Sequence, residues 1–306
     1  MYLHARSAVL AGLFIISAAL HAQTSRGTVT GVVTDQTGAA ISGAAVELKD
    51  RQTNVGRSTT TNDAGLYRFD AVDLGAHDVD VRMAGFRNSL VRNFIVEAGQ
   101  VATVDVRLDV GDTSVSVEVN ANNVQLQVDA PVRGANLSTK QITNLPFATR
   151  NPVSLALNLP GVSTNRYGNG IATFSVNGAR GRSNNFLLDG TENNDISVAG
   201  QGFQIKNPDA IQEVSVQTSQ YDAEYGRAGG GVVNVVTKSG SNAFHGTVGA
   251  LLDWTYDDAT TNTQALSAGV RERGRPLPGT NQWYSGTLGG PVIKDRTFFF
   301  SSYQDE

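Results

Sequence analysis

Between Thr247 and Tyr256 the chain reads "TVGALLDWTY". Val248, Ala250, Leu252, Trp254 and Tyr256 share one parity, and Thr247, Gly249, Asp253 and Thr255 the other, with Leu251 the exception. A period of two belongs to a strand, not a helix. A run of about ten residues, apolar on one face and closed by aromatics, has the length and pattern of a membrane-crossing β-strand. A long polar stretch follows, then "NQWYSGTLGG", a short "PVIKDR" connection and "TFFFSSYQDE". One long and one short connection match the outside and inside loops of an outer-membrane barrel. An ordinary soluble hairpin would share the alternation but not the aromatic clustering.

The other end of the chain agrees with export. "MYLHARSAVLAGLFIISAALHAQTS" places Arg6 before an apolar run that ends near Ala22, a small residue suited to cleavage. The run is shorter than the roughly 20 residues a spanning helix needs. Residues 1–22 therefore read as a secretory signal peptide. Cysteine is absent, so no disulfide and no lipid-modified cysteine holds the exported chain. The net charge of −4 gives no reason to expect a nucleic-acid partner. The 33 glycines among 306 residues suit a protein of many strands and turns.

Residues 26–109 alternate in short pieces. "VATVDVRLDV" has Val104, Val106 and Leu108 separated by Asp105 and Arg107, and Asn62-Asp63-Ala64-Gly65 has the composition of a hairpin turn. Strands at this spacing predict an antiparallel β-sandwich. "GVVTDQTGAAISGAAVEL", "NDAGLYRF" and "VRMAGF" resemble the carboxypeptidase regulatory-like domain. That resemblance implies a transthyretin-like, carbohydrate-binding-like fold without catalysis. His77 stands where the family has an aromatic, and it reads as an ordinary loop or strand histidine.

Residues 110–137 are polar, with small β-branched runs, and read as an extended linker. Residues 138–240 mix short helices and strands. Ser138 is a candidate N-cap, Pro152 a first-turn proline, and strands are expected near 173–176, 185–188 and 213–217. This predicts a small α/β domain. Within it, Gly229, Gly230 and Gly231 precede "VVNVVTKSG". A phosphate loop needs Gly before Lys-Ser and a helix afterwards. Here Thr237 precedes Lys238, and the following run is β-branched. The glycines therefore read as a close backbone approach at a sheet strand.

"ITNLPFATRNPVSLALNLPGVS", "VNGARGRSNNFLLDGTENND", "AIQEVSVQTSQYDAEYGRAGGGVVNVVTKSGSNAFHG" and "GGPVIKDRTFFFSSYQDE" resemble the plug and first barrel strands of TonB-dependent outer-membrane receptors, the Oar-like subgroup above all. The fold expected is mainly β: a transthyretin-like sandwich (26–109), a linker (110–137), a small α/β plug (138–240) and the first strands of an incomplete transmembrane β-barrel (243–306). Bacterial barrels take at least about 8 strands, so the chain reads as the N-terminal part of a longer receptor. The resemblance implies an outer-membrane location with the N-terminal domain in the periplasm. It also implies TonB, of the inner-membrane energy-transducing complex, as partner. Receptors for siderophores, glycans, peptides and cobalamin share these plug features, so no substrate is named.

The family carries a TonB box between sandwich and plug. Asp112, Thr113, Ser114, Val115, Ser116, Val117, Glu118 and Val119 lie there. They form an alternating segment with no partner strand nearby in sequence, suited to strand addition by main-chain bonds. Enzyme chemistry finds no foothold. No H-E-x-x-H or G-x-S-x-G occurs, and only His77 and His245 remain after the signal peptide. Asp189, Glu192 and Asp195 in "DGTENND" do not follow the EF-hand order and read as a solvated loop. No catalytic residue, cofactor or metal is expected. The competing reading is a cell-surface or periplasmic adhesion module whose sandwich binds glycan or protein.

Overall fold

The computed structural model describes residues 26–111, 116–120, 133–145, 151–164, 174–197, 200–221, 225–226, 228–254, 266 and 280–305. The expected signal peptide lies outside them. No helix among these residues is long and apolar enough to cross a membrane, which leaves crossing by strands open.

The N-terminal unit has nine strands: β1 (Gly27–Thr34), β2 (Ala45–Asp50), β3 (Gly56–Thr60), β4 (Leu66–Val72), β5 (Gly75–Arg82), β6 (Asn88–Val96), β7 (Val101–Thr103), β8 (Val106–Arg107) and β9 (Ser116–Asn120). One sheet runs β4-β1-β7, with β8 also on β1, and the other runs β3-β2-β5-β6-β9. Alternation sends Val46 and Leu48 of β2, Tyr67 and Phe69 of β4, Val79 and Val81 of β5 and Phe94 of β6 into one core. The sandwich is mixed, because β7 and β8 pair parallel with β1, and β9 pairs parallel with β6.

The turn at Asn62 is not a hairpin. β3 pairs with β2 and β4 pairs with β1, so this connection carries the chain from one sheet to the other. Its chemistry is still that of a tight turn. Asn62 Oδ1 accepts from the Ala64 and Leu66 amides at 3.0 and 2.9 Å, and Gly65 has φ +72°. Turn composition reports local backbone shape, not which sheet the next strand joins.

Tyr67 ties the two ends of the sandwich together. Its hydroxyl donates to the Val104 carbonyl at 2.6 Å. Gly31 makes room, since a Cβ there would lie 2.0 Å from the Val104 oxygen and 2.9 Å from the Tyr67 hydroxyl. Burial first, and Asp105 second, push the phenol further above its ordinary range, so it stays a neutral donor.

The plug begins earlier than the sequence suggests, with β10 (Arg133–Ser138). There follow α1 (Thr139–Asn144), β11 (Val162–Thr164), β12 (Phe174–Val176), β13 (Asn185–Leu188), β14 (Thr191–Glu192), β15 (Ile211–Ser219) and β16 (Val232–Thr237). Ser138 caps α1, its amide donating to Gln141 Oε1 at 2.9 Å. The expected helix after Asn151 is a 3-10 helix, Pro152–Asn158. The same Asn-Pro start recurs at Pro208–Ala210, where Asn207 accepts from the Asp209 amide at 3.0 Å. The main sheet runs β10-β15-β16-β13-β14. β16, "VVNVVT", is flanked on both edges and is buried over its first five residues, which explains its unbroken apolar run. Phe174 meets Phe186 edge-on at 5.9 Å beneath it.

Three long strands complete the described chain: β17 (His245–Trp254), β18 (Thr280–Ile293) and β19 (Thr297–Asp305), paired antiparallel in that order. Pro291 and Ile293, expected in the short connection, belong to β18, and the connection itself reduces to Lys294, Asp295 and Arg296. Val248, Leu252, Trp254, Tyr284, Leu288 and Tyr303 are exposed, and the register puts them on one face. The opposite face carries Thr247 and Thr287, whose hydroxyls lie 2.8 Å apart.

The sandwich is expected to fold without the rest of the chain. Residues 26–120 expressed alone, β9 included, should give β-type circular dichroism and one cooperative melt. Phe94→Ala should lower its stability by roughly 3–5 kcal/mol. A broad, non-cooperative melt of the isolated segment would contradict a self-contained core.

Candidate functional site

The eight residues expected to form the box divide in two. Asp112, Thr113, Ser114 and Val115 lie outside the described residues. Ser116, Val117, Glu118 and Val119 belong to β9, at the edge of the second sandwich sheet. Their backbones pair parallel with β6: Ser116 with Asn88, Val117 with Ser89, Glu118 with Leu90 and Val119 with Val91. The segment thus has a partner strand that the sequence did not show, some thirty residues upstream. Parallel pairing at that separation leaves no turn signature between the strands. Among the described residues β9 ends its sheet, with one edge on β6 and no strand of theirs on the other.

β6 leads directly into the sandwich's contact with the plug. The turn after it, residues 97–100, lies against β15. The Ala98 amide donates to Glu213 Oε1 at 3.2 Å, and Ser215 Oγ donates to the Ala98 carbonyl at 3.3 Å. Asn136 of β10 donates to Glu97 Oε2 at 3.0 Å. Gly99 has φ +64°, so the turn shape favours glycine, and a Cβ there would fall 2.6 Å from Gln217 Nε2, which would have to move. A second foothold lies at the short connection between β18 and β19. The Asn242 amide donates to the Gln52 carbonyl at 3.0 Å, and Asp295 Oδ1 accepts from both Asn54 and Asn242 at 3.0 and 2.7 Å. The sandwich thereby touches the plug and the inner-loop end of the wall strands.

Sequence reasoning missed Glu213. It is 8% exposed on β15, and burial and the nearby Glu97 charge push its carboxyl up to about 7. The alternation of "AIQEVSVQT" marks a strand but not what covers it. The covering turn comes from another domain more than a hundred residues away.

The three glycines serve close approach. Gly229 and Gly230 amides both donate to the Ser183 carbonyl, at 2.9 and 3.0 Å, and the Gly231 amide donates to Asn184 Oδ1 at 3.0 Å. A Cβ on Gly230 would sit 2.4 Å from that same Asn184 oxygen. Asn184 is buried and also donates to the Phe174 carbonyl at 2.6 Å. A strand start and a 3-10 turn are locked together by one amide side chain.

Two carboxylates of the acidic loop are taken up by hydrogen bonds, one to the end of β16 and one in a local turn. Asp189, with φ +49°, accepts from the Thr237 amide and hydroxyl at 2.8 and 2.9 Å, and Asp195 accepts from the Ser197 amide and hydroxyl at 2.7 and 2.6 Å. Among the described residues no group of three or more His, Cys, Asp or Glu is placed to hold a metal. His77 is buried in β5 with Nδ1 3.1 Å from the Gly75 carbonyl, while His245 stacks on Phe300. The two histidines belong to different domains.

The plug meets the wall strands through their polar face. Asn207 donates to Ser302 Oγ at 2.8 Å. A cleft of about 420 Å³ lies between the end of α1 with Pro208 on one side and Leu251 with Trp283 on the other. Leu251, the residue that broke the alternation, lines this cleft and not the outer face.

Three families match the chain in succession: the carboxypeptidase regulatory-like domain over residues 28–109, the TonB-dependent receptor plug domain over 127–233 and the outer membrane beta barrel domain over 236–306. The TonB-dependent transporter Oar of Myxococcus xanthus is 29% identical across 96% of this chain. The chain spans 28% of that relative's length. Among solved structures, the outer membrane transporter YddB from Escherichia coli aligns over 58% of this chain and 27% of its own, at 16% identity and a TM-score of 0.46. The siderophore receptor PirA from Acinetobacter baumannii aligns over 56% and 24%, at 21% identity and a TM-score of 0.40.

The glycine contacts give a graded expectation. Gly230→Ala should lower the plug's stability by roughly 1–3 kcal/mol through its clash with Asn184. Gly229→Ala should be nearly neutral, since its Cβ would make only ordinary contact with Ser183 at 3.5 Å. Denaturant midpoints of the two variants would check the order, and equal midpoints would remove the close-approach account.

Proposed function

We propose that this homologue of the TonB-dependent outer-membrane transporters supplies the periplasmic sandwich, the plug and the first wall strands of an energised outer-membrane receptor. In this reading the chain performs no catalysis. It binds a substrate of unidentified class through a complete barrel and admits it when TonB acts on the plug. The segment from Asp112 to Val119 is where TonB adds a strand.

The single observation that carries the reading is the fit of plug to wall. The outward parity of β17 and β18 carries Val248, Leu252, Trp254 and Leu288, suited to hydrocarbon and its interface, while the inward parity meets the plug through Ser302 and Trp283. A wall strand that is apolar outside and packed on a separate domain inside is what a plugged barrel needs. The family matches, in the order sandwich, plug, barrel, support the same assignment.

The position of β9 supports the box. Its outer edge carries no strand among the described residues and so suits main-chain pairing, which tolerates many side chains but not proline, since proline removes a donor and fixes φ. In the complete receptor, Val115→Pro should abolish energised uptake while leaving expression and substrate binding intact, and Val115→Thr should be nearly silent. Normal uptake by the proline variant sinks the box. So does a peptide of residues 112–119 that fails to bind the TonB C-terminal domain at high concentration.

A further inference from the structure

We propose that Glu213, set beside Glu97, forms a proton-operated latch that holds the N-terminal sandwich on the plug and loosens as Glu213 ionises. The latch is a property of the sandwich–plug joint itself and does not depend on the transport reading.

The geometry sets a buried carboxylate of the plug, Glu213, beside an exposed one of the sandwich turn, Glu97. Glu213 projects from β15 and accepts the Ala98 amide of the sandwich turn. Glu97, the preceding residue of that turn, is the charged group that acts on it. The neighbours of Glu213 across the sheet bring no charge: Ser138 lies opposite it on β10 and Val236 on β16. Asn136, also on β10, bonds Glu97 through its amide nitrogen. No cation is among the groups acting on Glu213, so closing the joint with Glu213 ionised takes its charge out of water and sets it near the like charge of Glu97. The joint is also incompletely satisfied elsewhere. Asn136 Oδ1 and Gln217 Oε1 are sealed from solvent and accept no hydrogen bond. A contact with that composition suits reversible docking better than permanent burial.

The direction with pH follows from linkage. In the docked state the Glu213 carboxyl is pushed up to about 7 by burial first and by Glu97 second, with the Ala98 amide opposing. Freed into water it would titrate near 4.3, the ordinary value, as an approximate reference. Docking therefore takes up a proton. Its contribution is whole below the free value, declines as pH rises from there, and is lost once pH passes about 7. Between pH 5 and pH 8 the docking constant should fall by roughly tenfold or more.

Hydrogen–deuterium exchange of the 306-residue chain in detergent micelles tests this, with rates corrected for the intrinsic effect of pH. The peptide containing Ala98 should lose protection by roughly tenfold between pH 5 and pH 8, while the β5 core around Val79 and Val81 should hold steady. Glu213→Gln keeps an acceptor for the Ala98 amide but cannot ionise, so its protection should be the same at both values. Glu97→Gln removes the second cause and leaves burial, so its loss of protection between pH 5 and pH 8 should shrink without vanishing, which keeps the test decisive if the first variant folds poorly. Equal protection of the unmodified chain at both values overturns the latch. So does a pH effect that persists unchanged in the glutamine variants.

Discussion

A β-strand has two edges, and each edge is a row of N–H and C=O groups that must find partners. The three domains differ chiefly in how they meet that demand. In the plug, β16 is closed on both sides by β15 and β13, and its sequence is correspondingly apolar on both faces. In the sandwich, β6 is closed by β5 on one side and by β9 on the other. In the wall, β18 is closed by β17 and β19. The connection between sandwich and plug is thus not a bare tether. Its first half completes one sheet as β9, and its end completes another as β10. The chain between the domains is drawn into structure at both ends because each neighbouring sheet has an edge to fill.

Much of this was legible from residues alone, and the reasons are physical. Wall strands declare themselves because lipid on one side and protein on the other enforce parity over about ten residues. The plug's Asn-Pro turns were readable because proline at a first turn fixes φ and its missing donor costs nothing there. The glycine triplet could be assigned to close approach by noting that a β-branched run, and not a helix, follows it. The structure then supplies the partner, Asn184, which no local pattern announces.

What was hidden shares one trait: it depends on pairing between distant segments. The β9–β6 ladder is parallel and carries no turn of its own. The crossing at Asn62 has a hairpin's composition but joins different sheets. Glu213 sits in an alternating strand, and its environment is set by a turn of the sandwich. Register and partner choice are settled by what each face buries, and that information is spread over the whole chain. Leu251 is the inverse case: an apparent error in alternation that the plug explains by lying against it.

The layout also bears on how force would reach the plug under the proposed reading. A strand added to the outer edge of β9 acts on a segment already zipped to β6. β6 ends in the turn that grips β15 through Ala98 and Ser215, and the linker beyond β9 ends in β10, which is paired to the same β15. Tension on β9 therefore arrives at β15 by two routes, one through the sandwich and one along the chain. The sandwich route is interrupted if the joint at Glu213 opens, leaving only β10. β10 is an edge strand with a register shift between Arg133 and Gly134, at the end where the linker enters. An edge strand loaded from a bulged end can peel one residue at a time, whereas a sandwich docked by a turn moves with its partner as a body. Whether the joint is closed thus decides which of the two deformations a pull produces.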